Sequence, residues 1–220
     1  MRLSFSMLLA VFSSLLILIF EIGSLSSFAN SLAKHPRALA SVTQSTTDPI
    51  GDFIEMFEKT SNGKVYVVGR TVIETTPNCV YNTLTDYEHA PRIFSSLKSC
   101  RVVSQTPDSK NIFFSASAAG GLLTLAYVLE VKEKPPNLIE WRRVNGSFKA
   151  NQGYWKLEPV RSGKATLVTY SKYVDGGLFI PKFFIRRELH ANMQLVLSEL
   201  RKHSEMYNKR IAHAEIPPKE

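Results

Sequence analysis

Cysteine is scarce in this 220-residue chain: Cys79 and Cys100 are the only two. They do not stand in CxxC spacing and neither has a His pair nearby, which argues against zinc or iron–sulfur chemistry. A pair of small buried hydrophobes and, in an exported protein, one disulfide remain open. Acidic residues are also short, with 19 Asp and Glu against 27 Lys and Arg, a net charge of +8. That excess favours an anionic surface, phospholipid or nucleic acid, without choosing between them. Glycine and proline number 11 each, too few for collagen-like or low-complexity sequence. Catalytic signatures are missing too: no GxSxG, HExxH, GxGxxG or P-loop pattern occurs. His190 and His203 lie more than three helical turns apart and cannot share a metal, His89 has no partner at a defined spacing, and Asp86 and Glu88 suit loop capping. The expectation is therefore no metal, no cofactor and no catalytic set.

Long apolar runs are nearly absent as well. Met7 to Phe20 follows Arg2 and is broken only by Ser13 and Ser14. As a helix it would reach roughly 21 Å, short of the ~30 Å hydrocarbon core, so residues 1–33 read as a signal peptide or an N-terminal membrane anchor. Small residues at −3 and −1 place cleavage after Ala29 or Ala33, with a mature start between Asn30 and Ser41. The protein is then expected to be periplasmic or secreted, or tethered to the membrane by that segment. Residues 1–33 carry one cation and one anion, so the whole +8 belongs to residues 34–220.

Residues 34–63 read as a linker carrying a short amphipathic helix, capped by Asp48 with Pro49 at its first position and Ile50, Phe53, Ile54 and Phe57 on one face. From Lys64 the pattern turns β-rich. Val65 to Thr75 is dense in β-branched residues and stops at Thr76-Pro77, which opens a helix over Asn78 to Leu84; Pro91 leads into a second short helix or turn ending at Leu97. Strand signals follow at Cys100 to Gln105, Asn111 to Ala118, Leu122 to Val131, Leu138 to Arg143, Tyr154 to Leu157 and Ala165 to Val174. Their short, turn-rich separators imply an antiparallel meander. Past Gly176-Gly177 the period becomes helical: Ile185, Leu189, Met193, Val196, Leu200 and Tyr207 form one stripe of a helix from Pro181 to about Asn208. The pattern predicts an α+β domain over 64–210, with 211–220 a polar tail.

Three stretches carry a resemblance. Ile73 to Val103 includes a pre-helix proline and a Leu-Thr-Asp-Tyr segment, Gly153-Tyr154-Trp155-Lys156-Leu157-Glu158-Pro159 fits G-x-W-x-L-x-P, and Ala165 to Tyr170 is followed by Ile180-Pro181 and an Arg-rich helix. Together they resemble the START-like, or SRPBCC, superfamily of polyketide cyclase/dehydrase and lipid-transport proteins, over about residues 64 to 206. The resemblance implies a helix-grip fold, a seven-stranded antiparallel sheet wrapped around the long C-terminal helix. It does not name a member: coenzyme Q-binding chaperones, aromatase/cyclases and a ribosome-targeting toxin family share the pattern.

A long helix laid across a curved sheet leaves space beneath it, and such spaces hold apolar ligands. Alternation puts Ile139, Trp141 and Arg143 on one face of their strand, Trp155 and Leu157 on one face of the next, and Thr166, Val168 and Tyr170 on one face of the last. Tyr127, Trp141, Arg143, Trp155, Tyr170 and Met193 are the candidate ligand-binding residues, with Arg143 placed to meet a ligand carboxylate or phosphate. Leu178 to Arg187 packs more apolar residues among cations than one helix face can bury. Phe179, Phe183, Phe184, Lys182, Arg186 and Arg187 are therefore candidates for a cavity entrance that meets an anionic membrane. The favoured function is non-enzymatic binding or transfer of a hydrophobic small molecule such as a lipid or quinone, with no nucleic-acid partner expected. An aromatase/cyclase-like enzyme and a ribosome or nucleic-acid module are the alternatives, and both fit export poorly.

Overall fold

The computed structural model describes residues 53–178 and 180–214, and at 119 and 209–214 the backbone alone. The expected signal or anchor, the linker up to residue 52, Phe179 and residues 215–220 lie outside the described residues. Among the described residues, eight strands form one antiparallel sheet: β1 (Glu55–Ser61), β2 (Lys64–Ile73), β3 (Leu97–Gln105), β4 (Lys110–Ala118), β5 (Leu123–Lys134), β6 (Leu138–Gly146), β7 (Ala150–Val160) and β8 (Ala165–Asp175). Their order is β1-β2-β8-β7-β6-β5-β4-β3. Strands β3 to β8 are the expected meander, and β2 closes onto β8 with Val67 opposite Lys172 and Ile73 opposite Thr166.

The sheet has one strand more than expected, because part of the stretch read as an amphipathic helix is β1. Seven residues of β1 pair with β2, from Glu55 opposite Arg70 to Ser61 opposite Lys64. Asn62 and Gly63 both adopt positive φ, 49° and 69°, as a tight hairpin turn between right-twisted strands demands. Without β1 the hydrogen-bonding edge of β2 would be unpaired, and ladder formation outweighs a four-residue helical stripe.

Between β2 and β3 the chain makes two short helices, α1 (Pro77–Thr85) and α2 (Ala90–Ile93). Thr76 caps α1, its side-chain oxygen accepting from Cys79 N at 3.4 Å. The long helix α3 (Lys182–Ala214) outruns its expected end near Asn208, since no glycine or proline intervenes before Pro217. The first residues of the expected polar tail are thus helical. Val196, Leu197, Leu200 and Met193 of α3 join Val67, Ile73, Val80, Ile112, Leu129, Leu157 and Val168 in the core. Each fully buried apolar side chain of this kind contributes roughly 1.5–3 kcal/mol. Helix α3 lies mainly on β2, β8, α1 and α2. The concave faces of β4, β5 and β6 receive little from it.

Candidate functional site

Sheet register brings the aromatic candidates together. Trp155 pairs with Tyr170 on β8 and with Ile139 on β6, so all three point to the concave side. The Trp155 and Tyr170 rings stack with centroids 3.7 Å apart and planes 10° from parallel, and Trp141 meets Tyr170 at 5.8 Å. Gly153 sits opposite Trp141 on β7, and a Cβ there would come within 2.5 Å of the indole and 2.1 Å of the Ser171 carbonyl oxygen. Only glycine lets the indole lie flat across the strand. One strand further, Tyr127 stacks on Phe114 at 5.5 Å and touches Phe148 at 5.3 Å. Trp141, Trp155, Phe114, Phe148 and Leu125 are all half-buried, although they occupy the side of the sheet on which α3 lies. A face fully packed by its helix would bury them; these side chains instead keep accessible surface on that side.

Polar groups stand in this wall. Trp141 donates from Nε1 to Oδ1 of Asn151 at 3.3 Å. Asn151 is 1% exposed and its Nδ2 has no acceptor among the described residues; the same holds for buried Nε of Arg143. Arg143 donates from Nη2 to the Gly146 carbonyl at 3.0 Å. Lys172 shares the concave face with Tyr170, two residues before it, and desolvation pulls its pKa down from 10.5 to about 8. Burial pushes the Tyr127 and Tyr170 hydroxyls well above the usual phenol range, so both stay protonated and neutral.

The two ends of the sheet differ. At the end capped by α1 and α2, Glu133 accepts from Tyr87 Oη at 2.7 Å and Tyr81 Oη at 3.3 Å and pairs with Lys110 Nζ at 2.9 Å. Desolvation and that carboxylate both raise the two tyrosines' pKa values. Cys79 and Cys100 are free thiols near this end, Cys79 donating to Ser204 O at 3.5 Å and Cys100 pushed up to about 12 by burial. The opposite end holds the β4–β5, β6–β7 and β8–α3 turns. There Leu178 is 97% exposed, Leu122 79% and Phe183 61%. Phe184 is half-buried against Phe183, ring centroids 4.1 Å apart, and Lys182 and Arg187 are exposed. Arg186 is tied more closely than expected: Glu58 of β1 pairs with it at 3.7 Å and with His190 at 3.5 Å.

An open depression of about 540 Å³ lies on the convex side instead, lined by Tyr66, Gln152, Tyr154 and Arg142 among others. Several polar groups in or beside it are paired: Lys64 donates to Gln152, Gln152 to Tyr66, and Arg142 to Glu130.

Of the expected ligand-binding set, Tyr127, Trp141, Arg143, Trp155 and Tyr170 share the concave face. Met193 does not line free space: it is 1% exposed, wedged in the core against the Gly69 position of β2. Lys172 and Asn151 went unnoticed in the sequence. The alternation Val168, Tyr170, Lys172 and Asn151, Gly153, Trp155 carried the signal, because period two puts both on the face already assigned to the aromatics.

The sequence model for polyketide cyclase/dehydrase and lipid transport matches residues 73–194. No curated protein matches the chain. Among solved structures, a START superfamily protein from Mycobacterium smegmatis is 14% identical with a TM-score of 0.58, over 64% of this chain and 98% of that one. A STAR-related lipid transfer protein from Xanthomonas axonopodis is 17% identical, also at 0.58, over 69% and 93%. The aromatase/cyclase Zhui from a Streptomyces species is 12% identical at 0.57, over 64% and 93%. At these identities the likeness is one of fold.

Proposed function

The chain belongs to the polyketide cyclase/dehydrase and lipid-transport family, and from that premise we propose that it is a non-enzymatic carrier of a hydrophobic small molecule, loaded and unloaded at a membrane surface. The observation that carries this reading is the half-buried aromatic wall of Trp141, Trp155 and Phe114 on the side of the sheet that faces α3. Large apolar side chains there lose water only when something apolar covers them. Leu122, Leu178 and Phe183, exposed at the uncapped end with Lys182 and Arg187 beside them, suit shallow insertion among anionic headgroups. The apolar segment Met7 to Phe20 supports export or tethering, which would put the carrier at a membrane outside the cytoplasm.

The test is native mass spectrometry of the full-length protein purified from its own compartment, followed by titration of the emptied protein with the neutral dye Nile red. A co-purified species of lipid or quinone mass and dye binding at micromolar concentration are expected. No adduct and no dye binding would overturn the carrier reading.

A further inference from the structure

The unpaired polar groups of the concave wall are all hydrogen-bond donors, and, resting on the carrier reading, they specify the ligand's head group. One row of residues crosses the sheet from Val67 of β2 through Lys172 of β8 and Gly153 of β7 to Trp141 of β6. Lys172 is the charge in that row, and among the described residues it has neither a hydrogen-bond nor an ion-pair partner. One row toward the uncapped end lies Asn151, opposite Val174. Because Trp141 Nε1 occupies Oδ1 of Asn151, the amide is held with Nδ2 turned away from the indole and without an acceptor. Arg143 follows Trp141 on the same face of β6, with Nε buried and unpaired. An ammonium, an amide NH₂ and a guanidinium N–H therefore stand around the Trp141 indole that lies over Gly153.

A buried donor without an acceptor is costly, and a desolvated cation more so. A purely apolar ligand would leave all three unsatisfied. A neutral hydroxyl offers few acceptor sites and no charge. An anion with two or three oxygens supplies acceptors to every donor and a countercharge to Lys172 and Arg143. We propose that Lys172, Asn151 and Arg143 hold the anionic head, a carboxylate or a phosphate monoester, of an amphiphile whose apolar body lies along Trp141, Trp155 and Tyr170. The site differs from the convex depression, where Arg142 is already paired with Glu130.

Displacement of Nile red from the full-length protein tests this with matched pairs kept below their micelle concentrations: oleate against oleyl alcohol, and oleoyl lysophosphatidate against monooleoylglycerol. At least one acid should compete at least about tenfold better than its neutral partner, as expected for charge-assisted hydrogen bonds in a desolvated site. The pair with the larger ratio identifies the head as carboxylate or phosphate. Lys172→Met and, separately, Arg143→Gln should bring that ratio to within about twofold, by weakening the acid more than its neutral partner. If Lys172→Met does not fold, Arg143→Gln alone decides. Equal competition by acids and neutral partners in the unmodified protein would overturn the inference and leave the carrier reading standing, and so would a preference that survives the substitutions. Failure of all four compounds and of the dye would overturn both.

Discussion

The two ends of this sheet use the same strands and the same alternation, yet they treat their charged groups in opposite ways. At the capped end, Glu133 gathers Tyr81, Tyr87 and Lys110, and the Lys110 ammonium also lies 5.6 Å from the Tyr87 ring centre. Cation, phenols and carboxylate meet one another's needs. At the uncapped end, among the described residues, Asn151 Nδ2 and Arg143 Nε find no acceptor, Lys172 has no countercharge, and Leu122, Leu178 and Phe183 are exposed. The capped end pairs its charges within the chain, although the buried Thr75 and Ser204 hydroxyls there have no partner among the described residues; the uncapped end leaves its cations and an amide donor open. Function belongs where the fold leaves its own demands unmet.

The strongest way to break the contrast is at Glu133. Replacing it with Ala orphans the buried Tyr87 hydroxyl, the Tyr81 hydroxyl and the Lys110 ammonium together. Stability should fall by about 3 kcal/mol, and Glu133→Gln, which keeps an acceptor, should cost about half as much. Urea unfolding measures both. The dye affinity of the folded fraction should not move; if it falls in step with stability, the ends are not independent.

Trp155→Ala addresses the other end. The indole stacks on Tyr170 yet is only half-buried, so its loss should remove ligand contact more than core packing. Nile red affinity should weaken roughly tenfold, as the lost apolar contact area implies, while the protein remains cooperatively folded. A variant that unfolds instead would assign Trp155 to the core and move the ligand elsewhere.

The sequence displayed most of this architecture because β-meanders and a single long helix leave local marks: turn residues between short β-branched runs, then a helical stripe. What it hid depended on long-range pairing. The stripe Ile50, Phe53, Ile54, Phe57 fits a helix as well as Ile54, Met56 and Glu58 fit one strand face, and only the ladder to β2 decides. Met193 lies on the same helical stripe as Leu189, but whether a stripe residue meets ligand or core depends on which strands α3 covers, and α3 favours β2 and β8. The aromatic wall was legible because Trp and Tyr stand out at period two. Lys172 and Asn151 obey the same period, yet a lysine or asparagine in a strand ordinarily points outward, so composition concealed what register reveals.

Lys172 sharpens the contrast through pH. Its amine titrates at about 8 in the folded protein against 10.5 when unperturbed, because burial disfavours the charge. Below pH 8 the folded and unfolded states both carry the proton, and the desolvation cost is present in full. Between pH 8 and 10.5 the folded protein sheds its proton first, the unfolded state binds more protons, and stability rises with pH. Lys172→Met should therefore be more stable at pH 7, by about 1–3 kcal/mol, and the gap should close as pH approaches 10. Cys100 works in the reverse direction, its raised pKa causing stability to fall as the unfolded thiol ionises, but it contributes equally to both proteins and cancels in the difference. Paired urea titrations from pH 6 to 10 measure that difference. A gap that does not narrow would mean that the Lys172 ammonium is solvated and not part of the concave wall.

The smallest equilibrium effect, and the most specific kinetic one, belongs to Phe183. Its ring is 61% exposed, so Phe183→Asp should change stability and dye affinity by little. At a membrane the outcome is different. An aromatic ring beside Lys182 and Arg187 gains from the headgroup boundary both by burying apolar area and by bringing the cations to an anionic surface. An aspartate there loses the first and opposes the second. Transfer of a fluorescent lipid from vesicles containing anionic phospholipid should slow about tenfold, and transfer from purely zwitterionic vesicles should slow less. Salt separates the contributions: raising ionic strength should slow the unmodified protein toward the variant on anionic vesicles, since exposed charges are screened within about 10 Å at 0.1 M. Affinity for the dye in vesicle-free solution should remain unchanged throughout. If Phe183→Asp transfers as fast as the unmodified protein from anionic vesicles, the exposed apolar residues at this end are not a membrane contact, and the ligand leaves by another route.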